Sequence, residues 1–158
     1  SEIADTVQAS LDDLRRISRE LRPEALDDLG LVNALIALCS RIGQQSGLRV
    51  GRDFEPQLPA LASDIELVIY RVAQEALTNV LRHAHASHVD VSLRRTEGRV
   101  VLIVRDDGRG LPETLSATSG VAGMRERAML IGAELDIESH PDAGVEVRLA
   151  VPVAEDRA

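Results

Sequence analysis

Residues 88 to 106 restrict the class of fold open to this chain. His88 to Arg94 (HVDVSLR) alternates apolar and polar residues, the period of a half-buried strand. Glu97-Gly98 supplies a turn, and Arg99 to Asp106 returns as a hydrophobic strand. A second hairpin joins Glu134 to Ser139 with Gly144 to Val151 through Pro141-Asp142-Ala143-Gly144. Two hairpins imply antiparallel pairing, and the segments around them carry helical periods. The order is helix, helix, strand, helix, hairpin, helix, hairpin. The predicted class is α+β: a two-layer sandwich of a mixed, mostly antiparallel sheet with helices on one face, preceded by one amphipathic helix.

The helical segments can be placed by their apolar spacing. In residues 3 to 21, Ile3, Val7, Leu11, Leu14, Ile17 and Leu21 recur at steps of three and four, and Pro23 ends the pattern. Such a helix either packs on the domain that follows or forms half of a helical hairpin with another chain. Leu26 to Gln45 reads as a second helix, with Gly43 and Gly47 marking its end. Leu48 to Phe54 alternates as a strand, and Glu55 to Ala60, with two prolines, as a loop. Glu66 to Ala86 (ELVIYRVAQEALTNVLRHAHA) reads as one helix, with Ser63 and Glu66 as its capping box. Residues 111 to 119 (LPETLSATS) read as a mobile loop, Gly120 to Gly123 opens a helix, and Met124 to Ile131 continues it. The tail AEDRA, residues 154 to 158, is expected to fray.

Composition excludes several functions. Aromatic residues make up 1% of the 158 residues, so the core must be built from Leu, Val, Ile and Ala, and stacking platforms for single-stranded nucleic acid are absent. A net charge of -8 disfavours a phosphate-backbone partner, so no nucleic acid is expected. All the basic residues are Arg, and without Lys there is no P-loop. Cys39 lies in an apolar helical stretch and reads as a buried thiol of a reducing compartment. No apolar run approaches the length of a membrane helix, which points to a cytoplasmic chain, with anchoring of the intact protein left open. The chain begins at Ser1 in a helix-like pattern, which suggests a piece of a longer protein.

Three groups of residues carry chemistry. Glu75, Thr78, Asn79, Arg82 and His83 share one face of the 66–86 helix. Asn79 offers a neutral oxygen to a hard cation such as Mg²⁺, which takes one or two protein oxygens and keeps several waters. Glu75, one turn earlier, is placed to orient a water or accept a proton, and Arg82 to pair with phosphate oxygens. Asp106-Asp107-Gly108-Arg109-Gly110 sets a carboxylate at a strand end beside a backbone that a flat ligand can approach closely. Gly120-Val121-Ala122-Gly123-Met124 opens a helix whose first N–H groups suit an anion. His83, His85 and His88 do not share a helix face, which argues against zinc. Arg125 and Arg127 are expected in solvent.

In order, the chain presents QEALTNVLRHA (residues 74 to 84), DDGRG (106 to 110), GVAGMRER (120 to 127) and a closing G-x-x-x-x-L-x-x-P from Gly144 to Pro152. This resembles the ATP-binding domain of the histidine kinase, gyrase, Hsp90 and MutL superfamily, within it the nitrate-sensor and DesK-like sensor histidine kinases. LRRISRELRPEALDDLGLVNAL (14 to 35) resembles the same family's passage from dimerisation hairpin to catalytic domain. The resemblance implies a Bergerat-type ATP-binding fold. It divides the chain into residues 1–22, the second hairpin helix alone, residues 23–153, the catalytic domain, and the tail 154–158.

The resemblance also implies roles. Asp106 accepts a hydrogen bond from the adenine amine, Asn79 binds Mg²⁺, and Glu75 polarises the reacting group as the catalytic residue. Arg82 and His83 match the basic and ring positions after the Asn. Gly108 and Gly110 let the lid start close to the base and phosphates. Gly120, Val121, Gly123 and Met124 complete the ATP-binding set, with Gly120 and Gly123 framing the hinge of a lid over residues 111 to 122. The implied activity is γ-phosphoryl transfer from ATP to a His on a hairpin, in cis or in trans. The implied partners are that hairpin, a response regulator and a second copy in a homodimer. Val145 stands where the family often has Thr, and no His here matches the phosphoacceptor, so the chain is not expected to autophosphorylate alone. Two other readings fit the same motifs: a nucleotide-gated interaction module without phosphotransfer, and an anti-sigma-type Ser/Thr kinase.

Overall fold

The structure, a computed structural model, describes residues 22–109, 119–140 and 143–153. The expected helix over 3–21, Gly110, the lid segment 111–118, the turn residues Pro141 and Asp142, and the tail 154–158 lie outside the described residues.

The elements in order are α1 (Glu24–Leu29), α2 (Leu31–Ser46), β1 (Arg49–Phe54), α3 (Ser63–Asn79) with a π-helical turn (Val80–Ala84), β2 (His88–Thr96), β3 (Arg99–Asp106), α4 (Ser119–Leu130), β4 (Glu134–His140) and β5 (Gly144–Pro152). The sheet order is β1-β2-β3-β5-β4. β1 runs parallel to β2, and every other pair is antiparallel. The α+β class and the mixed, mostly antiparallel sheet therefore stand. The parallel pair arises because α3 serves as the crossover between β1 and β2. The β2–β3 turn uses Glu97 and Gly98, both at positive φ (27° and 75°), which matches the strand twist of a two-residue hairpin.

Alternation in the strands sorts the two sheet faces. Val89, Val91 and Leu93 of β2, Val100, Leu102 and Val104 of β3, and Val145, Val147, Leu149 and Val151 of β5 enter one core with Leu35, Leu38, Ile69, Val72 and Leu77 from the helices. At about 1.5–3 kcal/mol for each fully buried aliphatic side chain, this layer supplies the main driving force. The opposite sheet face is mostly charged and includes Asp90, Arg105 and Glu146, which align across β2, β3 and β5. Cys39 is buried in α2, and burial pushes its thiol up to about 11, so it stays protonated and inert.

Three helix expectations need correction. The single helix over 26–45 is two helices, because Gly30 at φ 78° breaks the hydrogen-bond ladder between α1 and α2. Ser63 and Glu66 do not form a capping box. Ala62 is the N-cap, Ser63 is already helical, and no side chain caps the end. Glu66 instead faces Arg22 at 3.6 Å, and Arg22 also donates to the Ser63 carbonyl at 2.6 Å. Finally, the 66–86 helix starts at Ser63 and changes at Val80 to a wider π turn.

Candidate functional site

α3 forms one wall of the site. Its apolar stripe, including Ile69, Val72, Ala73, Ala76 and Leu77, is buried, which leaves Glu75 and Asn79 half-buried on the flank that meets α4. The first turn of α4 rests on that flank. A Cβ built on Gly120 would collide with Glu75 Oε1 and stand 3.7 Å from Asn79 Oδ1. A larger residue there would push the Glu75 carboxylate aside. The two helices enclose a cavity of about 240 Å³, to which Arg71, Gln74, Glu75, Gly120, Gly123 and Arg127 contribute.

The second wall is the end of β3. Among the described residues, Asp106, 5% exposed, is the one buried charged residue. Gly108 N–H donates to its Oδ1 at 2.8 Å, and the Val145 N–H donates as well. Burial raises its pKa above the ordinary carboxylate value against those two donors. Gly144, at φ 88°, lies so close that an added Cβ would run into the Asp106 carbonyl. Its neighbour Asp107 is exposed and behaves oppositely. Its carboxylate accepts from Ser87 N (2.9 Å), Ser87 Oγ (2.9 Å) and His88 N (3.0 Å), and its pKa is lowered. Asp107 so ties the segment after the π turn to the end of β3.

The structure brings some of the expected residues together and separates others. Glu75, Asn79 and Gly120 meet at the α3–α4 contact, while Asp106, Gly108 and Gly144 meet at the β3–β5 end. Gly120 and Gly123 lie inside α4, not in a flexible approach to it. Val121 and Met124 were expected in the ligand-binding set. Their side chains are buried in the core and hold α4 in place, and Met124 also lines the α3–α4 cavity. Val145, the departure from the family's Thr, is likewise a core residue. Arg82 is exposed and lines a different cleft, with Arg49 and His85. For His83 only the backbone, in the π turn, is described.

Three cavity residues escaped the sequence reading. Arg71 and Gln74 lie one turn before Glu75 and Thr78 and share their flank, and extending the same face argument backwards would have found them. Arg71 Nη1 donates to Gln74 Oε1 at 2.9 Å. Arg127 was expected in solvent, yet it is half-buried and lines the cavity, whereas Arg125 is exposed.

The donor set suits a hard cation: an amide oxygen and a carboxylate on one flank, with no thiolate or imidazole required. Asp106 suits a ligand amine. A carboxylate held by two backbone donors presents its free lone pairs as acceptors only, and a ligand carbonyl there would leave two acceptors facing each other.

The profile of the histidine kinase-, DNA gyrase B- and HSP90-like ATPases matches residues 64–155. Among curated relatives, the signal transduction histidine-protein kinase/phosphatase DegS of Brevibacillus brevis is 31% identical over 149 residues, which are 93% of this chain and 39% of the relative. The oxygen sensor histidine kinase NreB of Staphylococcus carnosus is 36% identical over 148 residues, 92% of this chain and 43% of the relative. The chain therefore spans about two fifths of the length of these relatives. The histidine kinase domain of a blue-light activated kinase from Erythrobacter litoralis superposes with a TM-score of 0.69 at 24% identity, covering 78% of this chain and 61% of that one. The Acinetobacter baumannii histidine kinase AdeS gives 0.66 at 15% identity, covering 96% and 81%. These likenesses show a shared fold. The matched profile spans the site walls from α3 to β5, and the chain belongs to the histidine kinase-, DNA gyrase B- and HSP90-like ATPase family, as an ATP-binding domain.

Proposed function

We propose that this chain is the ATP·Mg²⁺-binding catalytic half of a sensor histidine kinase, and that it passes the γ-phosphoryl group to a His on a dimerisation hairpin. In this reading residues 1–22 belong to that hairpin and residues 23–153 form the catalytic domain. The intact protein is a cytoplasmic kinase, or one with a cytoplasmic catalytic part, that works as a homodimer and serves a response regulator. The names of the two curated relatives support this reading.

The observation that carries it is Asp106: a buried acceptor, fixed by two N–H groups and left open by a glycine, which selects an amine-bearing base. Loose phosphoryl transition states need positioning and charge neutralisation more than covalent help. Asn79 and Glu75 would hold the metal and its waters, and when bound the ion would neutralise charge on the β- and γ-phosphates. Glu75 polarises the reacting group. Arg71, one turn before Glu75 on α3, and Arg127 of α4 add positive charge to the cavity lining. In this reading the lid expected over residues 111 to 122, most of it outside the described residues, would exclude water from the site.

Asp106→Asn tests the base contact. In either amide orientation its NH₂ faces a donor, the Gly108 N–H or the adenine amine. Roughly 1–3 kcal/mol should be lost, about 5- to 150-fold in ATP affinity by calorimetry. Retained affinity would remove the main support. For the activity, a purified hairpin bearing a His, mixed with this chain and labelled ATP, should gain acid-labile phosphate. Acid-stable label, or none, would overturn the histidine kinase reading. Asn79→Ala should weaken Mg²⁺-dependent binding more than metal-free binding.

A further inference from the structure

A cleft of about 530 Å³ lies beside the π turn and shares no lining residue with the α3–α4 cavity or the Asp106 contact. Its charged lining is all basic: Arg49 at the start of β1, Arg82 in the π turn, and His85. That concentration of positive charge stands out in a chain of net charge -8. Among the described residues neither Arg49 nor Arg82 has a carboxylate partner. The carboxylate fastened to this wall, Asp107, has both oxygens engaged by Ser87 and His88. The lining also includes apolar Leu48, Val80 and Leu81, and Leu81 is left 44% exposed.

The backbone here is irregular in two ways. Val80–Ala84 is π-helical, and His85 sits at φ 47°, ψ 39°, a left-handed conformation that costs a non-glycine residue energy. An ordinary helix end would have placed a Gly or Asn there. The departure sets Arg82 and His85 on the same cleft. Two guanidinium forks and an imidazole in one cleft with exposed apolar surface match a small molecule with an anionic head and an apolar body. The volume falls within the usual range for small-molecule sites, roughly 300–1,000 Å³.

We propose that the cleft lined by Arg49, Arg82, His85 and Leu81 binds a phosphate monoester with an apolar body, at a site separate from the nucleotide. Two sources share this chemistry, a soluble phosphorylated metabolite and the headgroup of a phosphatidate lipid.

The probe is phenyl phosphate, titrated into the isotopically labelled chain and followed by amide chemical shifts, with and without saturating ADP. The expected result is a saturable shift of Gly47 to Arg49 and of His85 to Ser87, retained with ADP bound and tighter than with inorganic phosphate. Arg49→Gln should weaken binding at least fivefold and leave ATP affinity unchanged. His85→Asn, which tolerates the left-handed backbone, should also weaken it. Overturning results are shifts confined to Glu75, Asp106 and Gly108, loss of all shifts with ADP, or equal affinity in both variants while their spectra remain folded. Sedimentation with vesicles of phosphatidic acid and phosphatidylcholine separates the sources: pelleting reversed by Arg49→Gln supports the headgroup, and its absence with phenyl phosphate bound supports the soluble ester.

Discussion

α3 and α4 face each other across the site, and they are held in place very differently. α3 buries seven apolar residues, from Val68 to Leu77, against the sheet and α2. α4 buries Val121, Met124 and Ala128 and leaves Met129 and Leu130 each 79% exposed. Its first turn meets Glu75 through a glycine, which adds no apolar contact. Local opening free energies follow buried apolar contact. α3 and the β3–β5 end are therefore a fixed wall that carries Glu75, Asn79 and Asp106, and α4 is a wall that can move. The difference suits a site that must admit a nucleotide and then close: ligand groups are preset on one side, and closure costs little on the other.

The largest test strikes the fixed wall at Gly144. Alanine there must hold φ 88° and displace the Asp106 carbonyl, which is backbone and cannot swing away. A left-handed non-glycine residue and an overpacked contact each cost about 1–3 kcal/mol. Gly144→Ala should lose roughly 4 kcal/mol of stability by urea unfolding and bind ATP poorly even where folded.

Next comes a matched pair. Leu77→Ala removes a fully buried side chain of α3 and should cost about 3 kcal/mol, with every amide exchanging faster. Val121→Ala in α4 should cost about 1–2 kcal/mol. In hydrogen exchange its effect should be confined to α4. Equal and global effects of the two changes would erase the distinction between the walls.

A smaller effect has the opposite sign. Nothing lies within 4 Å of a Cβ built on Gly123, and its backbone is helical. Gly123→Ala should stabilise α4 by about 0.5–1 kcal/mol. If mobility of α4 matters for nucleotide exchange, slower ADP release should accompany the gain, read by stopped flow. Faster or unchanged release would mean that α4 does not gate the site.

The sequence revealed the fold where its signals were local. Alternation and the Glu97-Gly98 turn gave β2 and β3 nearly to the residue, because a half-buried strand advertises its period. The break at Gly30 was missed because Leu29 and Leu31 keep the apolar spacing running through it. The capping box at Ser63 failed because Arg22, far away in sequence, occupies that helix end. In the candidate site, the shared flank of Glu75 and Asn79 and the place of Asp106 at a strand end were legible from type and spacing. That Val121 and Met124 point into the core was not, since α4 has almost no amphipathic pattern to show its inner face. The placement of Arg82 on the far cleft follows from the π turn, which shifts the helical register and has no sequence signature of its own.

The smallest effect separates two adjacent carboxylates of the fixed wall. Burial raises the pKa of Asp106 in the fold, so its contribution to stability is full below its unfolded value of 3.8 and is lost as pH rises through the folded value. Hydrogen bonds from Ser87 and His88 lower that of Asp107, so its contribution is full above 3.8 and is lost as pH falls through the depressed value. Acidification from neutral pH should therefore first gain stability at Asp106 and then, below 3.8, lose it at Asp107. Urea midpoints across this range should show Asp106→Asn without the first gain and Asp107→Asn with a shallower final loss. Because Asp107 is exposed, added salt should screen its part more than that of Asp106. A wild-type profile unchanged by either substitution would mean that the two neighbours share one environment, and the contrast between a buried acceptor and its exposed neighbour would lose its physical basis.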